Sequence, residues 1–195
     1  MAQVSETQSK AYIVVRVRGT TRIRGTIADT MKLLNVHAAN NATVVPVNPV
    51  NAGMLNKVKD YVTWGEADRG TLVRLLRERG SVEENKELEA ALRDSPHKTL
   101  DAFVDGLMRG EAKLRDVPGL RPTFRMNPPH QGWGTIKRSV KAHGSLGYRG
   151  ADINDVIDRM LKAAGGKEAT KPAPGPPVAQ SGKKGERKAD TKGGH

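Results

Sequence analysis

The chain has 195 residues, and 33 Lys and Arg against 21 Asp and Glu give it a formal charge of +12 and a pI near 10.1. Hydrophobic residues make up 36% and aromatics only 4%, so the core is aliphatic and modest, which argues against a large enzyme with a deep pocket. With no cysteine, disulfides, thiolate zinc sites, iron–sulfur clusters and a cysteine nucleophile are excluded, and an intracellular setting is expected.

Residues 1–10 read as a polar N-terminal arm. From Ala11 to Val17 the pattern alternates, with Ile13, Val15 and Val17 on one face and Tyr12, Val14, Arg16 and Arg18 on the other. This predicts a strand that delivers two arginines to one surface. After a loop from Gly19 to Gly25, Thr26 and Asp29 make a Thr-x-x-Asp capping pattern, and Ile27, Met31 and Leu34 set a helix running to about Asn35. Asn40-Asn41 marks a turn, with His37 beside it. Ala42 to Val47 is a second strand, stopped by Asn48-Pro49. Val50, Met54, Leu55 and Val58 give a second amphipathic helix, and Tyr61 to Trp64 a third strand. The class is therefore α+β, a β-α-β-α-β unit over residues 11–65 with one sheet and helices packed on a face.

Residues 66–110 read as a helical addition, with helices around Leu72, Leu75 and Leu76, after the box Ser81-x-x-Glu84, and at Leu100, Phe103, Val104 and Leu107. Residues 111–164 form a basic, Gly/Pro-rich extended segment with a short strand at Thr123 to Met126. It ends in a helix that starts near Asp152 and aligns Ile153, Val156, Ile157 and Met160. Residues 165–195 are rich in Gly, Pro, Lys and Ala and read as a disordered basic tail. The longest apolar run, Tyr12 to Val15, is too short for a signal core or a membrane span.

Charge is unevenly placed. Lys10, Arg16, Arg18, Arg22, Arg24 and Lys32 face the single acid Asp29 in one block. Val117 to Ala151 holds Arg121, Arg125, Lys137, Arg138, Lys141 and Arg149 and no acid at all. Val82 to Asp105 between them is acidic, so the molecule should be two-sided, with a polyanion on its basic side. The first arginine group flanks a helix N-terminus, where free amides favour phosphate. Gly144 to Gly150 could form an anion-binding nest, with Arg149 on a phosphate and Tyr148 stacked on a base, or an ordinary turn. Trp133 suits either a ribose or base contact or a loop anchor. The five histidines lack His-x-x-x-His spacing and acidic companions, and no Walker, Rossmann or nucleophile-elbow pattern occurs, so no catalytic group, metal or cofactor is expected.

Ordered motifs support a resemblance. Tyr12-Ile13-Val14-Val15-Arg16-Val17-Arg18-Gly19, Thr30 to Asn35, Asn41 to Pro46 and Gly53 to Val58 resemble the universal large-subunit ribosomal L-thirty family, called L-seven in eukaryotes. Phe124 to Pro129, Gly134 to Lys137, Leu146 to Gly150 and Ile153-Asn154 resemble its long archaeal form. The resemblance implies a three-stranded antiparallel sheet related to half of a ferredoxin-like fold, with no enzymatic role and no small-molecule substrate or membrane. The partners implied are large-subunit rRNA, near the five-S rRNA, and neighbouring ribosomal proteins in a cytoplasmic ribosome. By motif, RNA contacts are expected at Arg16, Arg18, Arg22, Arg24, Lys32, Arg125, His130, Lys137, Arg138, Tyr148 and Arg149, with Trp133 beside them. The rivals are an enzyme with a small anionic-substrate site in the Gly-rich basic loop and a free-standing RNA chaperone that uses the tail.

Overall fold

A computed structural model describes residues 10–21, 23–82 and 88–165. Arg22, Glu83, Glu84 and the 166–195 tail lie outside the described residues, and with them one expected contact, the Ser81-x-x-Glu84 box and nearly all of the expected disordered segment. Five strands form one sheet: β1 (Ala11–Arg16), β2 (Asn41–Pro46), β3 (Val62–Glu66), β4 (Phe124–Arg125) and β5 (Gly147–Tyr148), in the order β4-β2-β1-β3-β5. The expected antiparallel trio is β2-β1-β3. It is widened by two edge strands from the Gly/Pro-rich segment, β4 antiparallel to β2 and β5 parallel to β3. The sheet thus has five strands rather than three.

Helices cover both faces, not one. α1 (Gly25–Leu33) and α2 (Pro49–Val58) bury Met31, Leu34, Leu55 and Val58 with Val14 and Trp64. On the other face lie α3 (Arg69–Arg79), α4 (Leu88–Arg93), α5 (Leu100–Arg109) and α6 (Ile153–Gly165). There Ile13, Val15, Ala42 and Val44 pack in one cluster with Leu72, Leu75, Leu76, Phe103, Val104, Val156 and Ile157. Burying each such Leu, Ile or Val contributes about 1.5–3 kcal/mol. β1 is therefore buried on both sides, and its alternation does not separate a core face from a solvent face. Arg16 shares this fate at 2% exposure, which corrects the reading of two arginines on one open surface.

Caps locate the helices. Asn48 accepts from the Asn51 amide at 2.6 Å, with Pro49 opening α2. Asp68 accepts from Gly70 at 2.9 Å ahead of α3, and Thr99 accepts from Ala102 ahead of α5. α1 departs from its expected cap: Arg24 is the N-cap residue and no side chain caps it. Thr26 and Asp29 are inside the helix, where the Thr26 carbonyl accepts from Thr30 Oγ1 and Asp29 pairs with exposed Lys32.

Candidate nucleic-acid interface

The register fixes which groups share an end of the sheet. Arg16 stands opposite Val62, and Asn41 opposite Arg125. The last residues of β1 therefore meet the first residues of β2 and β3 and the edge strand β4. At this end Arg16 turns inward. Its Nε donates to the Arg18 carbonyl at 2.8 Å, and its Nη1 to the carbonyls of Val36 at 3.1 Å and His37 at 2.6 Å. Burial lowers its pKa from the ordinary arginine value. The bonds tie β1 to the turn after α1, so Arg16 shapes the site from beneath.

Arg18, two residues on, emerges. Its Nη1 donates to the Asp60 carbonyl at 3.2 Å and its guanidinium lies 5.0 Å from the centre of the Tyr61 ring, a cation–π contact. An open cleft of about 430 Å³ follows, lined by Arg18, Arg24, Asp60, Tyr61, Lys137 and Ser139 among others. Arg18 and Lys137, more than a hundred residues apart in the chain, thus share one wall. On the β4 side Arg121 and Arg125 line a second cleft of about 550 Å³ with Asn35, His37 and Asn41. Their opposite side borders Arg79 and Glu78. A third hollow, of about 280 Å³, is lined by Trp133, His143, Arg149 and Arg159 with neighbouring glycines.

Trp133 is a loop anchor: its indole Nε1 donates to Asn40 Oδ1 at 2.9 Å and its ring packs against the core. The Arg149 amide donates to the Trp64 carbonyl at 2.8 Å, which fastens the segment after β5 to β3. Tyr148 is half exposed, lies 6.4 Å from Trp64 between ring centres, and donates its hydroxyl to Glu66 Oε1. That bond, with lesser help from burial and the carboxylate charge, pushes the phenol up to about 12. Arg24, Arg125, His130, Lys137 and Arg138 are all exposed. Lys32 is exposed as well, but is paired at 3.3 Å with Asp29.

The far end of the sheet is acidic. Glu66, opposite Tyr12, leads through Asp68 to Arg69. Arg69 bridges Asp101 at 2.8 Å and Asp105 at 2.9 Å. Among the described residues no group of three or more His, Asp and Glu converges as a metal cage would, and no helix is long and apolar enough to cross a membrane.

With this geometry in hand, similarity to known proteins is decisive. The family model for "Ribosomal protein L30p/L7e" matches residues 12–62, which take in β1 from its second residue, α1, β2, α2 and the first residue of β3. A large ribosomal subunit protein uL30 from Methanococcus vannielii is 46% identical over 154 residues, 77% of this chain and 99% of the relative. The chain belongs to this ribosomal protein family. Members with the same description from Methanococcus maripaludis and Methanobrevibacter smithii are 42% and 41% identical, again over 77% of this chain and 99% of their own. Similarity across the family thus runs well beyond the first four elements and takes in much of the chain that supplies the second face.

Three cleft arginines are missing from the contact set read off the sequence: Arg79, Arg121 and Arg159. Arg121 was visible in the acid-free block. Arg79 ends a helix with several other charges, and Arg159 sits between the core residues Val156 and Met160 on α6. For Arg159 the available signal was its position three residues after a core valine, at the edge of the buried stripe.

Proposed function

We propose that this protein, a structural constituent of the large ribosomal subunit, holds folded large-subunit rRNA against the basic end of its sheet. The supporting observation is that Arg18 and Arg24 from one basic segment and Lys137 from the other line the same cleft. Such a surface offers guanidinium and ammonium groups to phosphates brought close by the RNA fold, so contacts to backbone and shape dominate over base reading. The ordered clefts at β4 extend the surface through Arg121 and Arg125. The RNA bound lies near the five-S rRNA, and neighbouring ribosomal proteins meet the acidic end around Arg69, Asp101 and Asp105. The setting is the cytoplasmic ribosome, and the role is non-enzymatic.

The test is sedimentation of cell lysate through a density gradient in high salt, with and without ribonuclease. The protein should travel with the large subunit and return to the top after ribonuclease. A protein that stays at the top without ribonuclease defeats the reading.

A further inference from the structure

The hollow beside Trp133 borders α6 and shares no lining residue with the cleft that carries the reading above, although the same loop segment, with the Gly144 amide donating to the Ser139 carbonyl, lies between them. Its lining includes Trp133, His143, Ser145, Arg149, Val156 and Arg159, and among the described residues no carboxylate lines it. Arg149 is partly buried, and its side chain has one long hydrogen bond, from Nε to Thr63 Oγ1 at 3.4 Å. Arg159 is also partly buried; its carbonyl accepts from the His130 amide at 3.2 Å, which holds the loop down over α6. Gly132 and Gly134 form the rim with φ of +72° and +64°, and the space where a Cβ would stand is open at both.

Arg149 and Arg159 both line the hollow, and their like charges repel. Burial first, and then the charge of Arg159, lowers the Arg149 pKa, with Asp152 as the weaker opposing influence. Proteins place like charges together at a cost that an intervening opposite charge removes. Each guanidinium presents a planar fork that fits two oxygens of a phosphate. We infer that one phosphodiester of the bound RNA seats between Arg149 and Arg159, which makes Arg159 a binding residue and carries the RNA around the sheet edge onto the α6 face. This rests on the rRNA-binding reading, but its residues are separate from those of the Arg18 cleft.

Filter binding of the full chain to deproteinised large-subunit rRNA, over a series of salt concentrations, tests it. Arg159→Gln should weaken binding about tenfold and make the log K against log salt slope shallower by about 0.9, as for one lost phosphate contact. Arg159→Lys keeps the charge without the fork, and should keep the slope while losing part of the affinity. If Arg159→Gln does not fold, the Lys variant decides alone: lost affinity at an unchanged melting temperature supports the site, and native affinity overturns it. Native affinity and slope in Arg159→Gln, with weakened binding in Arg18→Gln, overturn the site while the rRNA reading stands. Inorganic phosphate that shifts the Arg159 Nε–H resonance, with rRNA binding unaffected by the substitution, means a site for free phosphate only and likewise overturns it. No rRNA binding by the native chain would fell the broader reading itself.

Discussion

Arg16 ends β1 and Arg18 follows it by two residues, yet only Arg18 meets solvent. Arg16 sits where α1 and its following turn close over β1, so three backbone carbonyls take the hydrogen bonds of its Nε and Nη1, while its Nη2 is buried without a partner. Each such bond from a charged donor contributes about 1.5–3 kcal/mol, set against the cost of removing a cation from water. Arg18 lies past the sheet, where Tyr61 supports it without enclosing it. At Tyr148 the bonding partner rather than burial decides the chemistry. Its pKa is raised on folding, so the Glu66 bond adds stability that is fully present below the ordinary value of 10.0 and is lost as pH rises through about 12. The Tyr148 phenolate signal, taken as the absorbance difference between the native protein and Tyr148→Phe, should emerge near pH 12. In Glu66→Gln it should move down toward 10.0; ionisation of native Tyr148 at the ordinary value would show that the bond does not form in solution.

The elements that build the clefts depend on close backbone contact at glycines, Gly65 among them. A Cβ on Gly65 of β3 would stand 1.9 Å from the Gly150 carbonyl oxygen, and a carbonyl in a turn cannot swing aside as a side chain can. Gly65→Ala should therefore push β5 and the start of α6 off β3 and destabilise by about 1–3 kcal/mol. The urea midpoint would fall, and an unchanged midpoint would show that the turn is free to shift. β1, β2 and α2 were legible in the sequence because their signals are local: β-branched runs, a stop at Asn48-Pro49 and helical spacing from Val50 to Val58. β5 was not, since two residues carry no period and exist as a strand only because β3 offers a free edge. The two-sided burial of β1 was hidden differently. Ile13-Val14-Val15 is an unbroken apolar run, the signature of a strand covered on both faces, but the arginines after it suggested alternation. The Trp133 anchor needed Asn40 as its partner, ninety-three residues away, a distance that no pattern spans.

At the scale of the molecule, the helical segment shares one core with β1 and β2, while α1 and α2 bury a second cluster on the opposite face. Residues 10–65 alone would expose Ile13, Val15, Ala42 and Val44, which α3, α5 and α6 cover in the whole chain. That fragment should show no cooperative thermal transition while residues 10–165 unfold in one step, and a sharp transition in the fragment would mean that the first face suffices. Charge follows the same axis, with arginine clefts at one end of the sheet and Glu66 and the Arg69–Asp101–Asp105 ion pairs toward the other. The bond from Trp133 to Asn40 has its own consequence. It fastens the glycine-rich loop to the turn between α1 and β2 in the free protein, so the entropy of ordering that loop is lost during folding rather than at the moment of binding. The loop is thus shaped before it meets RNA, and for this segment joining the particle is docking rather than coupled folding.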